Sequence, residues 1–218
     1  MKEEISMLKD WNFWCTVTTS VAAFIAIYLS VRQMQLSNKQ QLFDRRLNAY
    51  MLVNGIISLC KENYMWLSEK REAEPQLTND LVFMWFTNNT YMESQAKAIL
   101  QPLEQPFHND FLKKREELRS MAMEFELIFK GDIALQYSNF LRNYEKTLAV
   151  IYQYQIIIKK INAENSKHPR PLEELSQLFS EKKYRDSLYV ALDKLRESYD
   201  VVAQENIEKK LRKQIALI

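Results

Sequence analysis

The residue types best suited to nucleophilic and metal chemistry are rare in this chain, which has two histidines and two cysteines. His108 and His168 lie in proline-marked connections, and neither has a serine or cysteine partner that the sequence can place. Cys15 and Cys60 form neither a C-x-x-C pair nor a cluster with the histidines at metal-ligand spacing. We therefore expect no catalytic residue and no metal, and we interpret the cysteines as small apolar side chains in a reducing compartment.

Other common chemical motifs are also missing from the sequence. Carboxylates are plentiful but scattered, and no E-x-x-H pair is present that would hold a di-metal centre in a helical bundle. Phosphate-binding loops need two or three glycines within a few residues, whereas Gly55 and Gly131 stand far apart. The sequence thus predicts a protein without a cofactor and without enzymatic activity.

The charge balance disfavours nucleic acid as a partner. Lysine and arginine number 30 against 28 for aspartate and glutamate, a net charge of +2, whereas a nucleic-acid binder shows a strongly basic face. A basic cluster at 209–213 is interpreted as the solvated face of the last helix. This interpretation rests on Glu205 and Glu208, which stand four residues before Lys209 and Arg212 and form stabilising pairs with them.

Residues 11–31 contain no charged side chain and are bounded by Asp10 and Arg32. As a helix this run would span about 30 Å, the thickness of a bilayer core, so it predicts an uncleaved transmembrane helix. A cleaved signal peptide is disfavoured because acidic residues precede the run, which also continues past the candidate cleavage site at 20–22. A buried helix of a soluble domain seldom has so long an uncharged run, and an interfacial helix would show a charged face.

Basic residues near the ends of the span predict its orientation. More of them follow the span than precede it, which favours a cytoplasmic C-terminal side in a bacterial inner membrane. The N-terminal tail, residues 1–10, would lie outside, and residues 32–218 would lie in the cytoplasm. The basic residues that follow the span are Arg32, Lys39, Arg45 and Arg46. They would also attract anionic lipid headgroups, at about 1 kcal/mol each, unless they only set the topology.

One face of the predicted span carries small residues at spacings of three and four. Such a stripe lets helix backbones approach closely in lipid, and it predicts self-association of the span. The alternative is that small residues merely fill a weakly hydrophobic helix. The residues of this face are Cys15, Thr19, Ala22, Ala26 and Ser30.

The remaining sequence is helical in its hydrophobic periodicity and predicts an all-α, up-and-down bundle that continues from the membrane helix. In the segment 133–162, for example, one stripe holds Tyr137, Leu141, Tyr144, Leu148, Ile151 and Ile158. Predicted helices cover 33–73, 81–100, 109–129, 133–162, a short stretch from Pro171, and 180 to the C-terminus. Gly131 is expected in the left-handed position that ends a helix, and Gly55 at a close approach between helices.

The stretch that follows the span, residues 42–50, reads Leu-Phe-Asp-Arg-Arg-Leu-Asn-Ala-Tyr. It resembles the L-F-D-K/R-R-x-x-x-Y segment of uncharacterised bacterial single-pass, membrane-anchored helical proteins, some of which lie in antiphage defence loci. The resemblance implies a membrane-anchored helical protein and assigns no chemistry. Independently, helical spacing places Phe43, Leu47 and Tyr50 on one face, where they would anchor the membrane stalk to the bundle.

Together these features predict a membrane-anchored, non-enzymatic interaction or sensor module, with antiphage defence as its implied setting. Its partners would be the lipid bilayer and either a second copy of the chain or another membrane or cytoplasmic protein. The alternative is an oligomerising effector that perturbs or permeabilises the inner membrane. The threonine and serine content of the span supports that alternative, and a pore would need several copies because each chain supplies a single span.

Overall fold

The structure is a computed structural model that describes residues 11–68 and 79–215. Within these two ranges every regular element is helical and no strand occurs, which confirms the predicted all-α class. The helices are α1 (Trp11–Glu62), α2 (Tyr64–Ser68), α3 (Asn79–Thr87), α4 (Ala96–Leu100), α5 (Phe107–Ile128), α6 (Asp132–Lys167), α7 (Leu172–Leu178), α8 (Glu181–Val202) and α9 (Glu205–Ile215), with a 3₁₀ turn at Glu93–Gln95 before α4. The chain divides into two compact units at Arg45 and Arg46.

The first unit comprises the N-terminal part of α1, up to Arg45. Side chains 11–42 are exposed, including the large apolar ones. By length and composition α1 is able to cross a membrane, and its apolar window has no buried residue. The structure thus has an apolar helix near the N-terminus, as the uncharged run of residues 11–31 predicts.

The second unit is a helical bundle centred on α6. This helix packs against α5 and α8 along most of its length, and against α3 near its middle. The predicted stripe on α6, from Tyr137 to Ile158, is buried throughout, so its periodicity correctly identified the core face. The hydroxyl of Tyr144 on this stripe donates to the carbonyl of Phe86, which joins α6 to the end of α3.

Two of the predicted helices are interrupted by breaks that have a local cause. The predicted helix 180–C-terminus breaks at Ala203 and Gln204, which lets α9 turn and bury Ile207, Leu211 and Ile215. The predicted helix 81–100 stops at Thr87, where the Oδ1 atom of Asn89 accepts the N–H of Met92 at 2.9 Å. Such an asparagine turn competes with helical hydrogen bonding.

The other helix boundaries agree within a few residues where the structure describes them. The predicted helix 33–73 continues through α1 to Glu62 and resumes in α2, and its last residues, from 69, lie outside the described ranges. The short helix expected at Pro171 is α7, with Pro171 as its N-cap residue.

The two glycines have different roles from those predicted. Gly131 has a positive φ of 74° with ψ −165°, but it is the N-cap residue of α6. Helix α5 already ends at Phe129, whose backbone is extended, so the prediction of a left-handed cap on α5 was wrong. At Gly55 an added Cβ would meet the Nδ2 atom of Asn89 at 3.7 Å, an ordinary contact, so no close approach requires glycine there.

Burial in the bundle favours the neutral forms of a cysteine and of two tyrosines. Cys60 is completely buried, and burial raises the pKa of its thiol. Burial likewise raises the pKa of Tyr144 and, with Glu117 nearby, that of Tyr91 to about 12. Cys60 thus behaves as an apolar side chain, as the sequence predicts for an isolated cysteine.

Candidate functional site

The predicted self-association face of α1 is exposed at every position. Cys15, Thr19, Ala22, Ala26 and Ser30 all have exposed side chains. The hydroxyl of Thr19 donates to the carbonyl of Cys15 at 2.7 Å, and that of Ser30 to the carbonyl of Ala26 at 2.8 Å. The face is open to a second helix, and self-association through it stays a prediction.

The other threonine and serine hydroxyls of the apolar stretch are satisfied in the same way. Thr16, Thr18 and Ser20 each donate to the carbonyl four residues earlier, at 2.9, 2.8 and 2.8 Å. An unsatisfied hydroxyl is expensive to place in an apolar medium, and a bond to the helix's own backbone removes most of that cost. The polar residues of this stretch are therefore compatible with a hydrocarbon environment.

The four basic residues predicted to contact lipid or set topology divide into two groups. Arg32, Lys39 and Arg45 are exposed side chains of the first unit. Arg46 belongs to the bundle: its Nε atom donates to the carbonyl of Ile128 at 2.7 Å, and its Nη1 atom to the carbonyl of Gln214 at 2.6 Å. Its guanidinium is thus engaged by backbone carbonyls, and its predicted effect on topology stays a prediction.

The acceptors of Arg46 are themselves held in place. The side chain of Gln214 accepts the N–H of Lys130 at 2.8 Å and donates to the carbonyl of Lys130 at 3.0 Å. The guanidinium carbon of Arg46 lies 5.7 Å from the ring centre of Phe129, a cation–π arrangement. Arg46 therefore joins α1 to the α5–α6 connection and to the end of α9.

Tyr50, one helical turn after Arg46, forms a second connection to α9. Its hydroxyl donates to the Oε1 atom of Glu208 at 3.1 Å and accepts from the Nε atom of Arg212 at 3.0 Å. Arg212 also donates to Glu208 at 2.6 Å, which closes a three-residue network. Burial and the Glu208 carboxylate raise the pKa of Tyr50, while the hydrogen bond that Arg212 donates to Glu208 raises the pKa of Arg212.

We call Arg46, Tyr50, Glu208, Arg212 and Gln214 the clasp. Of the three predicted anchor residues, Tyr50 belongs to the clasp and Leu47 is half-buried in the bundle. Phe43 is half-buried and belongs to the first unit, so its role as an anchor stays a prediction. Sequence reasoning missed Arg46 as an anchor.

A cavity of about 230 Å³ lies beside the clasp, bounded by α1, α6, α8 and the start of α9. Tyrosines 50, 137 and 199 contribute to its walls, together with Lys61 and Glu208. Burial and the nearby Glu208 charge raise the pKa of Tyr137, so its phenol stays protonated. The described residues include no group of three or more potential metal ligands, and the cavity offers hydrogen-bonding groups rather than a metal site.

His108 has a structural partner that the sequence did not reveal. Its Nδ1 atom lies 2.9 Å from the hydroxyl of Tyr152, and that hydroxyl accepts the N–H of Leu103 at 2.8 Å. Leu103 has a positive φ of 70°, which is unfavourable for a residue with a branched side chain. The His108–Tyr152 pair therefore holds the connection before α5 in place.

Replacing Arg46 by alanine is expected to lower the free energy of unfolding by about 2–4 kcal/mol, because two hydrogen bonds from a charged donor are lost. Urea unfolding of the full chain in a neutral detergent, followed by circular dichroism, measures the change. The neighbouring Arg45 is exposed, so Arg45→Ala is the matched control and should change the value by less than about 0.5 kcal/mol. Equal effects of the two substitutions would contradict the assigned role of Arg46.

Comparisons with known proteins found no family model, no curated protein and no solved structure that matches this chain.

Proposed function

We propose that this protein is a single-pass protein of the bacterial inner membrane whose cytoplasmic helical bundle is a non-enzymatic interaction or sensor module. The observation that carries the proposal is the state of residues 11–31: uncharged, exposed, and with their threonine and serine hydroxyls bonded to the helix's own carbonyls. An exposed apolar helix of this kind is stable in lipid and costly in water. Within the bundle, the clasp fastens the C-terminal part of α1, from Arg46 onward, to the end of α5 and to α9.

The membrane half is tested by placing charges in the middle of the proposed span. Each arginine at the centre of a bilayer-spanning helix costs about 2.5–3.5 kcal/mol. The double variant Val21→Arg/Ile25→Arg should therefore move from the carbonate-resistant membrane fraction to the soluble or aggregated fraction. Leu36→Arg, an exposed position of the same helix beyond the span, is the matched control and should stay in the membrane.

Orientation is tested separately, with reporters fused to the C-terminus. If the bundle is cytoplasmic, a fusion to green fluorescent protein should fluoresce. A fusion to alkaline phosphatase should be inactive. The reverse pattern would contradict the inferred orientation while leaving membrane insertion intact. A chain that remains membrane-bound after the double arginine substitution would instead contradict the span itself.

The alternative function, an oligomerising membrane effector, has one source of support in the hydroxyl-rich composition of the span. Each of the five bonded hydroxyls donates its proton within the helix, so the hydroxyls retain only acceptor capacity for a water-filled channel. We therefore favour the interaction module. Loss of membrane potential on expression, abolished by deletion of residues 11–31, would favour the effector.

We propose antiphage defence as the cellular setting, on the resemblance of residues 42–50 to the juxtamembrane segment of proteins from such loci. The test is the plating efficiency of a phage panel on cells that carry the native operon. Cells in which this gene alone is deleted should lose protection, and protection that survives the deletion would contradict the setting.

A further inference from the structure

A basic groove lies between α5 and α6, on a part of the bundle distinct from the clasp. Its volume is about 670 Å³, within the range of about 300–1,000 Å³ typical of sites for small organic ligands. Three arginines and one lysine line it: Arg115 and Arg119 from α5, and Arg142 and Lys146 from α6. Cations from two helices thus face one space.

A buried carboxylate holds two of the arginines in place. Glu145 is 5% exposed and accepts from the Nε atom of Arg115 at 2.6 Å and from the Nη2 atom of Arg119 at 3.0 Å. Both bonds go to the same oxygen atom of Glu145. Because a guanidinium has five N–H donors, each arginine keeps others for a ligand.

The third arginine, Arg142 on α6, is held by a carboxylate of the facing helix α5. Arg142 donates from Nη2 to the Oε1 atom of Glu126 at 2.8 Å, and the hydroxyl of Ser138 donates to the same oxygen at 2.6 Å. Lys146, one turn further along α6, is exposed and lies beside the groove. Ordered side chains lose less entropy when they bind, so the groove is preorganised for an anion.

The charge of the groove is not balanced by its own residues. The acidic residue in its lining is Glu145. Glu126 does not line the groove but forms an ion pair with Arg142. Four cations against these two carboxylates leave a surplus of two positive charges. A phosphate monoester carries nearly two negative charges at neutral pH, and its oxygens accept two parallel N–H bonds from one guanidinium.

Apolar side chains form the rest of the groove. Met123 from α5, with Ala149 and Val150 from α6, lie beside the cations. Met123 is 54% exposed, which makes it available to an apolar group of a ligand. The groove therefore combines charged side chains with apolar ones that a ligand could contact.

We propose that the α5–α6 groove binds an organic phosphate of about nucleotide size. Arg115, Arg119, Arg142 and Lys146 would hold the phosphate, and Met123 and Val150 would contact the apolar body. Two sources share this chemistry, a soluble phosphorylated metabolite and the headgroup of an anionic phospholipid. The proposal does not depend on membrane insertion of α1, because all of these residues belong to the bundle.

The test is isothermal titration of the full chain, in a neutral maltoside detergent at low salt. The probes are ADP, inorganic pyrophosphate and dihexanoyl phosphatidic acid, with adenosine as the uncharged reference. Arg119→Gln/Lys146→Gln should weaken binding of the phosphate probes at least about tenfold, since two charged contacts are lost. Lys146→Glu is a second variant that leaves every described ion pair intact and should weaken binding by a similar factor.

The matched control is Lys182→Gln/Lys210→Gln, which removes the same charge from exposed positions away from the groove and should change affinity less than about twofold. Tighter binding of ADP supports a soluble metabolite, and tighter binding of the short-chain lipid supports a headgroup. Equal weakening by the groove and control variants would overturn the proposal. So would adenosine binding as tightly as ADP, or no binding of any phosphate probe at concentrations up to about 5 mM.

Discussion

Replacing Glu181 by alanine is expected to lower the free energy of unfolding by about 3–5 kcal/mol, the range measured when one partner of a buried ion pair is removed. Glu181 is completely buried at the start of α8. It accepts hydrogen bonds from Tyr154 and, at 2.9 Å, from Ser176, and it faces Arg185 with an N–O distance of 3.6 Å. Alanine would remove the carboxylate from beside the buried Arg185 side chain, which is 7% exposed.

Two further variants separate this effect from a general loss of helix stability. Glu181→Gln keeps acceptor oxygen for Tyr154 or Ser176 but removes the charge, so its effect should be intermediate. Glu173→Ala removes a carboxylate from an exposed position in the first turn of α7 and should cost less than about 1 kcal/mol. Urea unfolding measures all three, and a loss below about 1 kcal/mol for Glu181→Ala would contradict the structural role of the ion pair.

The substitution Phe125→Ala should have a comparable effect, about 3–5 kcal/mol, because it opens a cavity in a packed aromatic cluster. Phe125 is completely buried. Its ring stacks on Phe129 at 4.8 Å and on Tyr137 at 5.7 Å between centroids. Phe129 in turn lies beneath the guanidinium of Arg46, so a collapse around Phe125 would disturb the clasp as well.

The same helix provides the control for Phe125. Leu127, two residues further along α5, is 85% exposed, and Leu127→Ala should change the free energy of unfolding by less than about 0.5 kcal/mol. The link to the clasp is measured by combining Phe125→Ala with Arg46→Ala. A coupling of at least about 0.5 kcal/mol is expected for side chains that share the Phe129 ring, and strict additivity would contradict that link.

The long helices α6 and α8 were predictable because each buries one continuous apolar stripe. Tyr137 to Ile158 on α6 and Leu188 to Val202 on α8 follow helical spacing, and both stripes are buried. The break at Ala203 was harder to predict. The spacing of the apolar residues changes between Val202 and Ile207, and that change fits either a bent helix or two helices. Packing decides in favour of the break, because α9 must rotate to bury Leu211.

The charged residues of the interior were missed because charged side chains usually face solvent. Glu181 and Arg185 stand seven and three residues before Leu188, which extends the buried stripe of α8 backwards, and that spacing was an available signal. A similar spacing signal exists for Arg46, which stands three residues before Ala49 and seven before Val53, both of which are buried. Arg45 stands four residues before Ala49 and eight before Val53, which are same-face spacings as well, so the sequence did not distinguish the two arginines.

The groove residues were not identified as a group, although each was visible in the sequence. Arg115 and Glu145 are thirty positions apart and meet only because α5 and α6 pack side by side. No spacing rule within one helix predicts such a pair. The buried state of Glu145 depends on the packing of the whole bundle.

The bonds of Arg46 have a consequence for the order of events during synthesis. Its two acceptors lie 82 and 168 positions later in the chain. During translation, Arg46 leaves the ribosome long before Ile128 is made, and longer still before Gln214 exists. If residues 11–31 span a membrane, as we propose, they have time to meet the insertion machinery while the bundle is incomplete. The clasp can therefore form only after Gln214 has been synthesised.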